Sequence, residues 1–271
     1  PWTILSRRLP VKDALPYGTV LTLPATGSEM NSGAVVSRRS TQEKLPFGSP
    51  LLFPKFSIVD PETTYSLPPR QVANGIVDAF VHAAEQYLTA PSRAPLQDRF
   101  AEAILRTLVE DGPRTLANPM DYDARCSFVW CATMALNGLI GCGVPQDWAT
   151  HMIGHEITAF HGLDHARTLA VLLPNLLWVQ RDSKREKLLQ YADRVWGLKE
   201  GSEAARIEQA IIQTRTFFET LGCPTHLSDY AIGSEHFEDI IIRLEARKML
   251  PLGERKNLDG AKVREVLALA R

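Results

Sequence analysis

Beyond residue 68 the chain becomes a succession of segments in which apolar residues return every three or four positions, with Pro, Gly or Asn between the segments. That rhythm restricts most of the molecule to packed helices. The spacing predicts helices over 69–89, 95–110, 122–141, 147–160, 165–181, 184–196, 203–221, 235–248 and 259–270. Upstream, TVLTLP (19–24), GAVVSR (33–38) and FSIVDP (56–61) are short β-type runs divided by Gly, Ser and Pro. The expected organisation is a β-containing stretch over 1–66 followed by an all-helical unit over 67–271, without internal repeats.

Within the first helical run, Pro68 and Pro69 suit an opening turn, and Val72, Ile76, Ala79, Phe80 and Ala83 follow at helical spacing. Asp78 and His82 then share a face, with Cβ atoms roughly 5–6 Å apart, close enough to converge on one ion. Alone, such a pair is more often capped or solvated. A second segment, HMIGHEITAFHGLDH, changes this, because four of the seven histidines fall between residues 151 and 165. A helix from Trp148 to Phe160, a terminator at Gly162 and a new helix capped by Asp164 would fold His151 and His165 to a common point. Glu156 follows His155 rather than His151, so the H-E-x-x-H pattern of metalloproteases is absent. Asp78, His82, His151 and His165 together offer three nitrogens and one oxygen, which suit Zn²⁺ or Fe²⁺ and poorly suit Ca²⁺ or Mg²⁺.

With 271 residues, 45% of them hydrophobic, the chain can build one large or two smaller domains. Thirty basic residues nearly cancel thirty-one acidic ones, and the small basic clusters at Arg38–Arg39 and 181–187 read as solvated faces, so nucleic acid is not an expected partner. The longest apolar stretch, LAVLLPNLLWV, is short for a membrane span and interrupted by Pro174. Cys126, Cys131, Cys142 and Cys223 show no C-x-x-C spacing and read as buried free thiols. A reducing, cytoplasmic setting without membrane attachment is expected. The chain opens at Pro1 without methionine, and its first strand follows no glycine-rich turn, which suggests an N-terminal truncation.

Ala25-Thr26-Gly27-Ser28 after the first strand can turn backbone N–H groups and hydroxyls toward an anion, although such a loop is usually an ordinary turn. Lys44, beyond the next strand, could neutralise a phosphate, or simply face solvent.

LPATGSE, Lys44, DPETTYSLPPRQVANGIVDAFVHAAEQY, LNGLIGCGVPQDWATHMIGHEITAFHGLDH and GCPTHLSDY, in that order, resemble the iron-containing (group III, metal-dependent) alcohol dehydrogenase family. The nearest branch is that of NADPH-dependent aldehyde reductases and butanol dehydrogenases. The resemblance implies an α/β nucleotide-binding domain followed by an all-α metal-binding domain, in a dehydroquinate-synthase-like fold. On that view the chain is an α+β fragment: residues 1–66 are a remnant of the first domain and 67–271 form the second. The family's G-G-G-S phosphate turn has no counterpart here. The resemblance assigns the metal, Fe²⁺ or Zn²⁺, to Asp78, His82, His151 and His165, and a proton-passing role to His155. It assigns NADP, or NAD, to Thr22, Thr26, Ser28, Asn31 and Gly33, with Lys44 at the ribose and Thr63 as a further contact. His161 is outside the family pattern and lines the substrate pocket or serves structure.

The implied activity is hydride transfer between NAD(P)H and an aldehyde or primary alcohol, with homodimers formed by the intact chain. Two alternatives stand beside it: a phosphate-substrate enzyme on the same scaffold, and a helical metal-binding module without activity. Few Lys or Arg occur in 77–90 and 148–163, which favours a neutral substrate.

Overall fold

The computed structural model describes residues 2–271. Ten α-helices, four short 3-10 helices and four strands occur in these residues, and every strand precedes the long helices. Helix α1 (Trp2–Ser6) is followed by β1 (Gly18–Val20), β2 (Gly33–Arg38), β3 (Glu43–Gly48) and β4 (Phe56–Ile58). β1 pairs in parallel with β4, while β2 and β3 form an antiparallel hairpin whose register sets Ser37 opposite Lys44 and Val35 opposite Pro46. The part before α2 is therefore two separate two-stranded sheets, one short α-helix and three 3-10 turns, rather than a layered α/β sheet.

Helix α2 (Pro69–Tyr87) begins with Pro69 at N1, where its missing N–H costs nothing, and every residue from Val72 to Tyr87 is buried. Around it stand α3 (Pro95–Ala117), α4 (Tyr122–Leu136) and α6 (His165–Val179). α5 (Ala149–His161), α7 (Arg185–Arg194), α8 (Glu203–Thr220), α9 (Phe237–Ala246) and α10 (Gly260–Leu269) complete the bundle.

Two apolar clusters organise these helices, and α6 belongs to both. Leu169, Ala170, Leu173 and Leu177 join the cluster built with α2, α3, α4, α7 and α8. Val171, Leu172 and Leu176 join the second, built with α5, α9 and α10. A helix apolar on all sides is stable only in such a central position, which explains the LAVLLPNLLWV run without a membrane. No described helix is long and apolar enough to cross one.

Several expected boundaries shift for identifiable reasons. α3 continues past 110 through Gly112-Pro113, where Gly112 lies so close to Ile76 of α2 that an added Cβ would sit 3.0 Å from its Cγ2. α4 stops at Leu136 instead of 141, since Gly138 takes φ +92° and turns the chain. The capped αα-turn forms as expected, with Gly162 at φ +68°, but the Asp164 side chain makes no cap bond. It accepts from Arg70 Nε at 2.9 Å and Asn74 Nδ2 at 3.0 Å, tying the α5–α6 turn to the start of α2. Of the four free cysteines, Cys131 and Cys223 are buried, Cys126 is half-buried and Cys142 is exposed.

Candidate metal and active site

Asp78 and His82 occupy one face of α2, as their spacing requires, and the α5–α6 turn delivers His151 and His165 opposite them. Close approach of α5 and α6 depends on Gly154, where a Cβ would lie 2.7 Å from Thr168 Oγ1. The Oδ1 atom of Asp78 lies 3.8 Å from His82 Nε2, 3.8 Å from His165 Nε2 and 4.0 Å from His151 Nε2. An ion with bonds of about 2.0–2.2 Å can bridge donors at such separations. Asp78, His151 and His165 present donor atoms all within 4.8 Å of one another. His82 adjoins this set through the shared Asp78 oxygen and stacks on His151, with ring centroids 4.7 Å apart.

Electrostatics and hydrogen bonding describe the same place. Asp78 Oδ1 and His151 Nε2 are buried and have no hydrogen-bond partner in the protein. Orphaned buried polar atoms are costly, and a cation at their meeting point would satisfy both. Burial pushes the His82 ring down to about 4, against the opposing pull of Asp78. Burial, and then Lys44 and the neighbouring imidazoles, hold His155 and His165 well below the usual histidine range. Neutral imidazoles with free lone pairs beside one carboxylate are a donor set for a borderline transition metal.

His155 stands one turn from His151, its ring 5.1 Å from that of His165. Both its ring nitrogens are buried and unpartnered. It opens onto a cleft of about 940 Å³ lined also by Lys44, Phe47, Met152 and Met249. His161 lies outside this arrangement, against His236 and Phe160, with centroids 5.2 and 6.4 Å away.

The loop expected at the cofactor lies largely at the surface. Thr22, Thr26, Ser28 and Gly33 are exposed. Asn31 holds the loop's own shape, donating from Nδ2 to Thr26 O at 2.8 Å and accepting from Gly33 N at 3.0 Å. Thr63 is committed internally too, with its hydroxyl directed to Leu21 O and Asp60 O and its amide to Asp60 O. Both residues shape the site from within.

Lys44 is carried by β3 at the cleft wall, and burial lowers it from 10.5 to about 8 although the Asp78 charge opposes the shift. The unfolded chain binds this proton more tightly, so the charged lysine costs stability below pH 8, and the cost is relieved as pH rises toward 10.5. The drop corresponds to about 3 kcal/mol. Metal-free protein without cofactor should therefore gain stability between pH 8 and 10.5 in denaturant titrations. Lys44→Met should flatten that rise; an equal rise in the variant would exclude Lys44 as its source.

Two features escape a reading of local sequence. Glu85, one turn beyond His82 on α2, contacts His151 Nδ1 and accepts from Thr150 N at 2.7 Å. Its place three residues after His82 was the available signal. Glu156 of α5 is held by Arg247, just beyond α9, and by Arg243 at 3.5 Å, while Arg247 also reaches Glu43 of β3 at 3.5 Å. This cluster fastens the hairpin bearing Lys44 to the helix bearing His155.

Comparison with known proteins extends the picture. The family model described as "Fe-containing alcohol dehydrogenase family, C-terminal" matches residues 72–270, and the model "Iron-containing alcohol dehydrogenase" matches residues 2–61. The chain is 57% identical to the NADPH-dependent aldehyde reductase YqhD of Escherichia coli, covering 100% of this chain and 70% of that protein. It is 38% identical to NADH-dependent butanol dehydrogenase B of Clostridium acetobutylicum, covering 99% of this chain and 69% of that one. The crystal structure of Escherichia coli YqhD superposes with a TM-score of 0.98 at 56% identity, over 100% of this chain and 70% of that chain. NADH-dependent butanol dehydrogenase A of Thermotoga maritima gives 0.93 at 32% identity, over 99% and 69%.

Proposed function

This chain belongs to the iron-containing alcohol dehydrogenase family and is an NAD(P)H-dependent oxidoreductase, and we propose that it interconverts aldehydes and primary alcohols at the Asp78–histidine cluster. The observation carrying this reading is the single Asp78 oxygen faced by three imidazole nitrogens at 3.8–4.0 Å, with the oxygen and His151 Nε2 left unpartnered. Asp78, His82, His151 and His165 would hold Fe²⁺ or Zn²⁺. Such a metal, when bound, supplies Lewis acidity toward a carbonyl oxygen. The nicotinamide cofactor supplies the hydride. NADPH is the expected donor, since the 57%-identical relative is named for it, whereas NADH is named for the 38%-identical one.

The chain's own residues do the rest. Asp78 contributes one negative charge and the three ligand histidines none, so the site retains net positive character toward a developing alkoxide once a divalent ion is held. Thr26, Ser28 and Gly33 line the cofactor's approach, with Thr22 before them, and Lys44 offers a positive charge to its ribose or phosphates. Leu45, Phe47, Met152 and Met249 give the cleft apolar patches, beside the charged Arg7, Arg8, Arg247 and Lys248. His155, between the ligand cluster and the cleft, holds no other partner and is placed to pass a proton to the substrate oxygen. We read 1–66 as contributing to nucleotide binding and 67–271 as the metal-binding unit. Free thiols support a cytoplasmic setting.

Elemental analysis of fresh protein, combined with an aldehyde panel followed at the NADPH absorbance, tests the whole reading; a protein holding no transition metal and consuming no NADPH would overturn it. His155→Ala should retain its metal while turnover falls roughly 10²–10⁴-fold. An unaltered pH–rate profile in that variant would remove His155 from the proton path.

A further inference from the structure

Glu85 is among the most enclosed carboxylates of the molecule, 4% exposed, and no catalytic step uses it. It lies on the same face of α2 as Asp78 and His82, one turn farther along. One oxygen, Oε1, accepts from the Thr150 backbone N–H at 2.7 Å, which anchors the carboxylate to the first turn of α5. The other, Oε2, meets His151 Nδ1. Its backbone carbonyl accepts from Asp147 N at 3.0 Å, and Asp147 is ion-paired with Lys184 Nζ at 2.9 Å. The carboxylate therefore has one orientation available and aims it at one ring nitrogen.

An imidazole has two nitrogens, and a metal can take only the one that carries no proton. An ionised carboxylate can only accept, so opposite Glu85 Oε2 the proton belongs on Nδ1 and the lone pair on Nε2, the atom 4.0 Å from Asp78 Oδ1 and unpartnered; burial pushes the Glu85 carboxyl up, and the contact with His151 pulls it back down. Carboxylates behind metal-bound histidines fix ring orientation and raise ligand basicity, and their loss typically costs about 10–100-fold in metal affinity. Neither His82 nor His165 has a carboxylate behind it: the His82 ring has only the Ala25 backbone carbonyl beside it, and His165 Nδ1 is buried without a partner.

We propose that Glu85 is the positioning residue of the metal site, selecting the Nδ1–H tautomer of His151 and turning its Nε2 toward the ion. This rests on the Asp78–histidine cluster being the metal site. It makes His151 the preoriented ligand, around which His82 and His165 complete the set as the ion arrives.

Glu85→Gln preserves the shape and an acceptor for Thr150 N but removes the charge, and its amide can donate to Nδ1 and drive the proton onto Nε2. Chelator competition with Zn²⁺ should show affinity about 10–100-fold below that of the unsubstituted protein, while metal-free melting temperatures stay close. Equal Zn²⁺ affinity in the variant would overturn the proposal, and so would a lowered metal-free melting point with affinity unchanged, since that describes a brace between α2 and α5 only. A readout on the unsubstituted Zn²⁺-loaded protein needs no variant: ¹⁵N-resolved spectra should show His151 protonated at Nδ1 and a downfield, slowly exchanging proton there. A proton on Nε2 instead would overturn the assignment even if Glu85→Gln failed to fold. If the unsubstituted protein bound no Zn²⁺ at all, the metal site itself would fall, and this proposal with it.

Discussion

Asp78→Asn should leave the fold intact and remove both the metal and turnover. Asp78 is the one acidic member of the cluster, and its Oδ1 lies within 4.0 Å of a nitrogen of each of the three imidazoles. An amide keeps the volume but carries no charge, and it can turn its NH₂ toward the histidines. Metal affinity should fall by more than the roughly 10–100-fold expected for losing a supporting group. The charge stabilisation forfeited, several kcal/mol, corresponds to at least about 10³ in kcat/KM, given 1.36 kcal/mol per tenfold. The metal-free variant should be no less stable than metal-free native protein, because it no longer buries an unpaired carboxylate oxygen. Retention of stoichiometric metal by elemental analysis would exclude Asp78 as a ligand.

Gly75→Ala should be the most damaging single-methyl addition near the site. A Cβ at this position in α2 would fall 2.2 Å from the Pro24 carbonyl oxygen and 3.0 Å from Phe128 Cζ. The first of these is backbone, leading directly into the Ala25–Ser28 turn, and cannot rotate away. Overpacking typically costs about 1–3 kcal/mol, and the upper end applies where the obstructing atom is main chain. The urea midpoint should fall accordingly, and KM for NADPH should rise more than kcat falls, because the displaced segment is the loop assigned to the cofactor. A variant with unchanged urea midpoint would show that this loop does not rest on α2 as described.

The helices were legible because their apolar residues repeat at 3.6-residue intervals, and the convergence of Asp78 with the three histidines because two features act over short range. An i,i+4 spacing places Asp78 beside His82, and a glycine that can take positive φ reverses the chain between His151 and His165. What remained hidden depends on distant partners. β3 contains Glu43, Lys44 and Pro46 and carries little strand propensity; it is a strand because β2 supplies its pairing, with Pro46 tolerated in a two-stranded hairpin where each strand has a free edge. Thr63 is expected at the cofactor from its residue type, and its hydroxyl also reaches Leu21 O, 42 residues back. Glu85 stood at helical spacing from His82, but its partner is 66 residues away. Glu156 directly follows His155, the proposed proton-passing residue, and is nonetheless held by Arg247, 91 residues on. Local pattern predicts which residues share a face; it does not say what that face will meet.

The helix that contributes to both apolar clusters also begins with His165, so the candidate ion site sits at the end of the one element the two clusters have in common. Neither half can melt without disturbing α6, and binding at its first turn draws on the stability of both. Loading with Zn²⁺ should therefore move the whole helical body through one cooperative transition at a higher temperature, with the α6 amides among the last to exchange their hydrogens.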